Sequence, residues 1–490
     1  MLFTSFEFFL FLPLTLLVFA GVRPGHRWLW LLLTSCVFYG IWQPLNLVYL
    51  GAVTLVAAAC GWALDRTAGG PGRGWILGIG LAAVLGSLFG FKFWDFIAGE
   101  IERAAGALLG LEAEAALPRL GVAAPAGYSF YAFAAASYLV DVYAGRLPAG
   151  RKAGHVALYV AYFPKIFAGP IERATTFLPR VLSGLRAHPA MLVLGLQLMG
   201  WGLFKKVVIA DNLAPVVDRT FTIAAYAPPM ELLLSVYFFA FQIYCDFSGY
   251  TDIAIGVSLL FGLTLMENFR RPYLARSTAE FWGQRWHISL GHWFRDYLYI
   301  PLGGSRGSPW RRYANIMAVF TVSGLWHAGL GYGVGWTFLV WGALNGFYQW
   351  VGLATAPAWR RLGERLPRVR GSAALRALRI LLTFHLIALA WVFFRAATVG
   401  DALLILKRIA GNLGRIASLV TRYPYSTDHY LAFGLIAFLL GVELLDERRS
   451  IFQRLSAAPV AVRWGIYYGI LFGLLLLGRW QAKEFLYMQF

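Results

Sequence analysis

The sequence is poor in charge. Only 14% of its 490 residues are Asp, Glu, Lys or Arg, whereas 59% are apolar. Soluble globular domains average about 25% charged residues, because a water-facing surface needs them. The apolar residues also occur in blocks as long as the ~20 residues that cross a bilayer as a helix. These proportions exclude a soluble, disordered or fibrous protein and indicate an integral membrane protein.

Cysteine is scarce as well, and nucleotide-binding motifs are missing. The three cysteines, Cys36, Cys60 and Cys245, all fall in apolar stretches. They therefore predict neither a disulfide framework nor a set of zinc ligands. The sequence has no G-x-x-x-x-G-K-[ST] loop and no G-x-G-x-x-G fingerprint, so nucleotide hydrolysis has no support.

Acidic residues are few, 24 against 43 Lys and Arg, which leaves a formal net charge of +19. The basic residues lie in short loops between apolar blocks. This is the positive-inside pattern of membrane proteins, so we predict no nucleic-acid partner. Residues 1–21 lack a basic n-region and contain Glu7. They are predicted to be a first spanning helix, with Met1 on the side away from the cytoplasm.

The loop charges alternate as this orientation requires. Basic loops at 23–27, 66–73 and 146–152 alternate with an uncharged loop near Pro44 and an acidic one over 100–114. Alternation through successive crossings supports the predicted orientation, because Lys and Arg are retained on the cytoplasmic side.

The remaining pattern predicts an all-α, polytopic membrane fold. The stretch 156–168 is short and holds Lys165, so a re-entrant or half-buried helix fits it better than a span. The Arg-rich segment 267–313 is predicted to be cytoplasmic. With no fixed-period repeat and no linker, residues 1–490 are predicted to form one domain of roughly twelve spanning helices.

Polar residues inside apolar stretches mark candidate sites, because each costs several kcal/mol near the bilayer centre. They concentrate over residues 241–346. His327 ends the apolar helix MAVFTVSGLWH and precedes a glycine-rich stretch. A neutral imidazole in a dry site can act as a general base. A core histidine bonded to a backbone carbonyl fits the residues alone equally well.

Other histidines carry weaker signals. His287 and His292 are five residues apart and share no helical face, so we expect no zinc at this pair and no metal elsewhere. His385, inside LLTFHLIALAWVFFRA, is predicted to pack or to bond within its helix. The remaining four are predicted in exposed loops: His26, His155, His188 and His429.

Two carboxylates, Asp246 and Asp252, flank a Ser-Gly-Tyr sequence predicted to turn. They can share acid and base duties or conduct protons in a transporter. The sequence favours a structural role in which each pairs with an arginine, the candidates being Arg270, Arg271 and Arg295. Lys205 and Lys206, which are adjacent to each other in the sequence, are expected to snorkel to an interface or to anchor a phosphate-rich ligand.

Several strings in this region resemble one known family. FQIYCDFSGYTDIAIG, ENFRRPY, RWHISL, FRDYLYIPLGG, GLWH and WTFLVWG occur in this order over residues 241–342. Together they resemble the membrane-bound O-acyltransferase family, in the bacterial branch that includes alginate O-acetyltransferase and the membrane component of peptidoglycan O-acetylation. AYFPKIFAGPIER, GLFKKVVIADNLA and WVFFRA extend the likeness over essentially the whole chain.

The resemblance implies that His327 is the essential histidine and His287 a second active-site histidine. It also implies a ring of spanning helices, with re-entrant or half-buried ones, around a thin central region where donor and acceptor meet. Candidates for binding the substrate or the donor lie in the matching motifs: Arg285, Trp286, Arg295, Asp296, Trp326, Trp336 and Asn345. Polar residues expected to be structural are Asp246, Ser248 and Asp252.

The implied function is membrane O-acetylation of an exopolysaccharide such as alginate. The donor substrate is expected to be acetyl-CoA or another acetyl thioester, with no bound cofactor. Expected partners are membrane lipid, an extracytoplasmic acetyltransferase- or esterase-like protein and, indirectly, the polysaccharide. Alternatives are the membrane component of peptidoglycan O-acetylation and a transporter of a polysaccharide or lipid intermediate. The glycine-rich stretch between His327 and Trp336 is longer than the family pattern, which bears on the acceptor or partner.

Overall fold

The fold is built from α-helices, as predicted. The computed structural model describes residues 1–41, 43–109, 117–121, 124–149, 152–328, 335–480 and 485–486. Within these ranges the chain contains no strand. Most of the glycine-rich stretch after His327, residues 329–334, lies outside the described residues.

The first half of the chain forms ten α-helices within the described ranges. They are α1 (Phe6–Gly21), α2 (Arg27–Gly40), α3 (Asn46–Arg66), α4 (Arg73–Leu109), α5 (Tyr128–Tyr143), α6 (Ala153–Ala161), α7 (Ala174–Leu182), α8 (Pro189–Leu203), α9 (Asp211–Thr222) and α10 (Pro229–Leu260). A π-helical segment, Phe204–Ala210, joins α8 to α9 without a break. A short 3₁₀ helix, Pro24–His26, precedes α2.

The second half continues with shorter helices and then long ones. They are α11 (Thr278–Glu280), α12 (Ile288–Phe294), α13 (Pro309–His327), α14 (Trp336–Arg365), α15 (Pro367–Gly371), α16 (Ala373–Arg395), α17 (Val399–Ala410), α18 (Ile416–Arg422), α19 (Thr427–Arg448), α20 (Ile451–Ala457) and α21 (Val460–Leu477). The π segments Phe281–Arg285 and Arg295–Tyr299 flank α12, and 3₁₀ turns occupy Pro272–Leu274 and Leu413–Arg415.

Seven helical stretches of the described chain are long and apolar enough to cross a membrane: α3, α4, α8 continued into α9, α10, α16, α19 and α21. The shorter α1 is also apolar. A polytopic membrane protein is therefore confirmed. The stretch predicted to be re-entrant forms α6, which has only 9 residues, and a loop that buries Lys165. It is too short to span, as expected.

α10 is the central helix of the fold. In its most apolar window 89% of the residues are buried inside the protein, whereas in α21 Leu474 alone is buried. α8 lies directly against it through paired glycines. A Cβ added to Gly202 would lie 2.6 Å from the carbonyl oxygen of Gly249, and one added to Gly195 would lie 2.7 Å from that of Gly256. Small residues at these positions let the two backbones approach closely, as in other membrane helix pairs.

Candidate active site

A cavity of about 1050 Å³ opens between α13, α14, α16 and the segment that contains α11 and α12. His287 and His327 both line it and are both buried. Five exposed arginines line the same cavity: Arg276, Arg295, Arg312, Arg360 and Arg379. The cavity therefore runs from an exposed, positively charged mouth to a buried end that holds two imidazoles.

His327 is the last residue of α13 and is 3% exposed. The helix ends there because Ala328 adopts an extended conformation, with φ −62° and ψ 159°. The imidazole lies among aromatic rings, with centroid distances of 4.7 Å to Trp326, 5.2 Å to Trp341 and 5.3 Å to Phe394. The surroundings are dry on these sides, and the remaining side faces the cavity.

Glycines determine how closely α13 and α14 pack beside this histidine. A Cβ on Gly324 would collide with the carbonyl oxygen of Phe338, and one on Gly342 with that of Phe320. The two backbones can touch only because these side chains are missing. The end of α13 is thereby held against the start of α14.

His287 has a strained backbone. Its φ of +43° lies in the left-handed region, which is uncommon for residues other than glycine. Main-chain bonds to an adjacent segment hold it there: Ile288 N–H donates to the carbonyl of Asn268 at 3.0 Å. The Asn268 side-chain oxygen accepts from the Ser289 N–H at 3.1 Å and from its hydroxyl at 2.9 Å. Strain maintained by surrounding bonds is typical of functional positions.

Arg285 stabilises the segment that precedes His287, on the side away from the cavity. Its guanidinium donates to Glu280 at 2.7 Å and to Glu447 at 2.8 Å. It also donates to the carbonyls of Arg270 and Arg271. Arg285 is buried and does not line the cavity, so its contacts tie the π segment that precedes His287 to α19.

The other predicted binding residues separate into two groups. Trp286 and Arg295 line the cavity, whereas Asp296, Trp326, Trp336 and Asn345 do not. Asn345 accepts a hydrogen bond of 2.9 Å from the indole of Trp282, which does line the cavity.

Three of these residues lie apart from the cavity lining. Asp296 pairs with Arg295 at 2.8 Å and Trp336 is 50% exposed. Trp326 is buried behind the two histidines, with its ring centroid 6.3 Å from that of His287.

Asp246 and Asp252 lie in ion pairs, but not with the predicted arginines. Lys206 contacts Asp246 at 2.6 Å and Asp211 at 3.0 Å. Lys205 contacts Asp252 at 2.7 Å and donates a hydrogen bond of 2.9 Å to the Ser248 hydroxyl. The prediction of arginine partners was wrong, because α8 and its π continuation lie directly against α10 and bring the lysines closer.

The predicted turn at Ser-Gly-Tyr was also wrong. α10 runs unbroken through residues 246–252. Glycine and serine suggested a turn, but Gly249 is in a helix and serves the close contact with α8. Tertiary packing thus overrode the local propensity.

The remaining histidines clarify which sequence predictions hold. The Nδ1 of His385 lies 2.7 Å from the Leu381 carbonyl one turn earlier, as predicted for helix bonding. His429 was predicted to be exposed but is 2% exposed, with its Nε2 3.0 Å from Glu231. No cluster of three or more His, Cys, Asp or Glu suited to a metal occurs in the described part of the chain.

Lys92 was missed by sequence reasoning. It lies inside α4 and is buried, with its ammonium group donating to the Trp326 carbonyl and, at 3.4 Å, to the Ser129 hydroxyl. The signal was available in FGFKFWDF, because a lysine in the middle of an apolar span costs about 2.5–3.5 kcal/mol and is functional by default.

Comparison with known proteins agrees with this arrangement. The family model described as MBOAT, membrane-bound O-acyltransferase family, matches residues 153–392. A probable alginate O-acetylase AlgI from Azotobacter vinelandii is 37% identical over 409 residues, which cover 82% of this chain and 76% of the relative. A peptidoglycan O-acetyltransferase from Helicobacter pylori is 33% identical, over 79% of this chain and 74% of the relative.

A more distant relative is named for transfer of a different acyl group, D-alanyl. A teichoic acid D-alanyltransferase from Bacillus subtilis is 24% identical over 55% of this chain and 68% of the relative. The identity to the nearer relatives extends over most of both chains, and the matched family region contains both cavity histidines. The chain belongs to the membrane-bound O-acyltransferase family and is an acyltransferase.

Proposed function

We propose that this protein transfers an acetyl group from a cytosolic thioester for O-acetylation of an exopolysaccharide such as alginate. The first candidate for the donor is acetyl-CoA. The observation that carries the proposal is the cavity that joins five exposed arginines to two buried histidines. Relatives named alginate O-acetylase and peptidoglycan O-acetyltransferase support the acetyl group and a polysaccharide acceptor.

The buried end of the cavity suits general-base chemistry. His327 accepts the proton of an attacking hydroxyl, whose oxygen forms a bond to the thioester carbonyl carbon. The C–S bond then breaks, and the imidazolium returns its proton to the leaving thiolate. The products are an acetyl ester and a free thiol. His287, which lines the same cavity, stabilises the negative charge that develops on the carbonyl oxygen.

The mouth of the cavity suits the donor. Coenzyme A carries phosphates, and arginine binds phosphate through a planar fork of N–H donors. The five mouth arginines belong to loops and helix ends that the positive-inside rule assigns to the cytoplasm. Entry of the donor from the cytosol follows from this orientation, with Met1 on the periplasmic side of the inner membrane.

The route of the acetyl group beyond the cavity involves other molecules. We propose that an extracytoplasmic acetyltransferase- or esterase-like partner passes it to the polymer, so that the polysaccharide is the indirect acceptor. Surrounding membrane lipid covers the exposed apolar side chains of helices such as α21. Candidate donor contacts in the proposal are Trp286 and Arg295, which line the cavity, while Arg285 and Trp326 support its walls.

Thioester turnover tests the proposal directly. Protein purified in nanodiscs should release free thiol from acetyl-CoA in the presence of acceptor, and His327→Ala should not. Absence of turnover in the wild type would refute it. In cells, loss of the protein should leave the polymer unacetylated but of normal length. Disappearance of the polymer would favour the transporter, and loss of acetyl from peptidoglycan alone would favour the second acceptor.

Topology has its own test. Arg306 is an exposed residue in the Arg-rich segment predicted to be cytoplasmic. Arg306→Cys in a variant without the three native cysteines should react with a membrane-impermeant maleimide only after the cytoplasmic side is opened. Labelling of intact spheroplasts from outside would overturn the orientation.

A further inference from the structure

Lys92 connects three helices behind the two histidines. It lies on α4, and its ammonium group reaches the hydroxyl of Ser129 on α5 and the carbonyl of Trp326 on α13. The same Nζ atom lies 5.3 Å from the centroid of the Trp326 ring. Its closest contacts are therefore neutral oxygens and an aromatic face, and two of the three belong to Trp326.

The contacted carbonyl belongs to the last turn of α13. α13 ends at His327, one residue after Trp326. The last four carbonyls of a helix lack N–H partners within it, and they also carry the negative end of the helix dipole. A lysine near a helix C-terminus satisfies both needs. Lys92 thus fastens the peptide unit from which His327 projects.

The Trp326 ring extends this contact to both histidines. Its centroid lies 4.7 Å from the His327 ring and 6.3 Å from the His287 ring. Two further rings enclose it, Phe130 and Phe133, each with its centroid 5.6 Å away. A change in the position of Trp326 would therefore move both imidazoles relative to the cavity.

We propose that Lys92 is a positioning residue for the acyl-transfer reaction, acting through the carbonyl and ring of Trp326 to hold His327 and His287 in register. The proposal rests on the proposed function of the histidine cavity. Lys92 does not line that cavity, so it orients the reacting groups without binding the donor. A misplacement of about 1 Å at a reacting centre can cost roughly 10²-fold in rate.

The test compares Lys92→Met, Lys92→Arg and the control Lys165→Met in purified protein. Lys165 is another buried lysine above aromatic rings, 4.8 Å from the centroid of Tyr159. We expect Lys92→Met to lower kcat by roughly 10²-fold with little change in the KM for acetyl-CoA. Lys92→Arg, which keeps a charged donor, should recover most of kcat. Lys165→Met should retain wild-type kcat per folded molecule.

Three results would overturn the proposal. The first is folded Lys92→Met with wild-type kcat, and the second is a loss of kcat that Lys92→Arg does not recover. The third is a rise in KM that accounts for the whole defect. If Lys92→Met does not accumulate, Lys92→Gln decides by the same kinetic criteria. A wild type without acetyl transfer refutes the proposed function and this proposal together, whereas an active wild type beside an equally active Lys92→Met refutes this proposal alone.

Discussion

Two regions of this protein hold polar groups between helices, and the surroundings of those groups differ. Between α10 and the π segment that follows α8, Lys205 and Lys206 meet Asp252 and Asp246 at 2.7 and 2.6 Å. At the cavity, His287 and His327 lie among aromatic rings and face open space. In the first region opposite charges neutralise each other inside the protein. In the second the buried groups line an open cavity.

The difference teaches how burial and function relate in a membrane protein. An ionisable residue within apolar helices suggests function by default. At α10 the carboxylates are held in ion pairs with lysines, which favours a structural role. At α13 the cavity beside the imidazole favours chemistry. The two regions should therefore respond differently to mutation: the ion pairs through stability, the histidines through rate.

The largest expected effect on rate is at His327. We predict that His327→Ala and His327→Gln accumulate at near-normal levels but abolish acetylation, because removal of a general base typically costs about 10²–10⁴-fold. The measurement is polymer acetyl content in cells and thiol release in vitro, both normalised to folded protein. The matched control is His385→Ala, whose ring bonds within its own helix and whose loss should spare most activity. Full acetylation by well-expressed His327→Ala would contradict the mechanism.

The ion pairs should show the opposite response. Lys206→Met leaves Asp211 and Asp246 facing each other without the cation that now contacts both. Breaking a buried pair from one side costs roughly 3–5 kcal/mol, so we expect a lower melting temperature and less folded protein. Activity per folded molecule should remain.

The control for this variant is an exposed pair. Arg103 is 65% exposed where it meets Glu100, and such pairs contribute about 0–1 kcal/mol. Arg103→Ala should therefore leave the melting temperature nearly unchanged. A stable Lys206→Met protein that has lost its activity would instead place the lysine cluster in the reaction.

His287 should give a smaller loss of rate than His327. We expect His287→Ala to reduce turnover about 10²-fold, the lower end of the range for acid–base groups. Because the backbone here has φ +43°, His287→Gly separates strain from chemistry, since glycine adopts this conformation without steric strain. His287→Gly should fold at least as well as His287→Ala and still lose activity. Retained turnover in His287→Gly would show that the imidazole is dispensable.

The smallest predicted effects are at the mouth of the cavity. Arg312→Ala and Arg379→Ala should each raise the KM for acetyl-CoA about 2- to 5-fold with kcat unchanged, because one exposed charge contact is worth up to ~1 kcal/mol. High salt should shrink the difference from the wild type. Arg306→Ala, an exposed arginine outside the cavity lining, is the control and should keep the wild-type KM. A change in kcat alone would place these arginines elsewhere in the reaction.

The sequence predicted the fold class and the two histidines, but not the residues, such as Lys92, that hold the neighbouring backbone. Long apolar blocks identified the polytopic all-α protein, and the motifs RWHISL and GLWH singled out residues that line one cavity. Two of the errors concern partners and burial. Asp246 was assigned to arginines but pairs with Lys206, and His429 was assigned to an exposed loop but is buried against Glu231. Both depend on which helices are neighbours, and a single sequence does not specify that.

Composition and periodicity by themselves determined that this chain lies in a membrane, because 59% apolar residues in span-length blocks admit no soluble fold. They also identified the polar residues that lie inside apolar stretches. Only the tertiary structure decided which polar residues are neutralised and which face a cavity. Close glycine contacts set the helix spacing at α8–α10 and α13–α14, and that spacing brings lysines to carboxylates in one place and two distant histidines to a common space in the other.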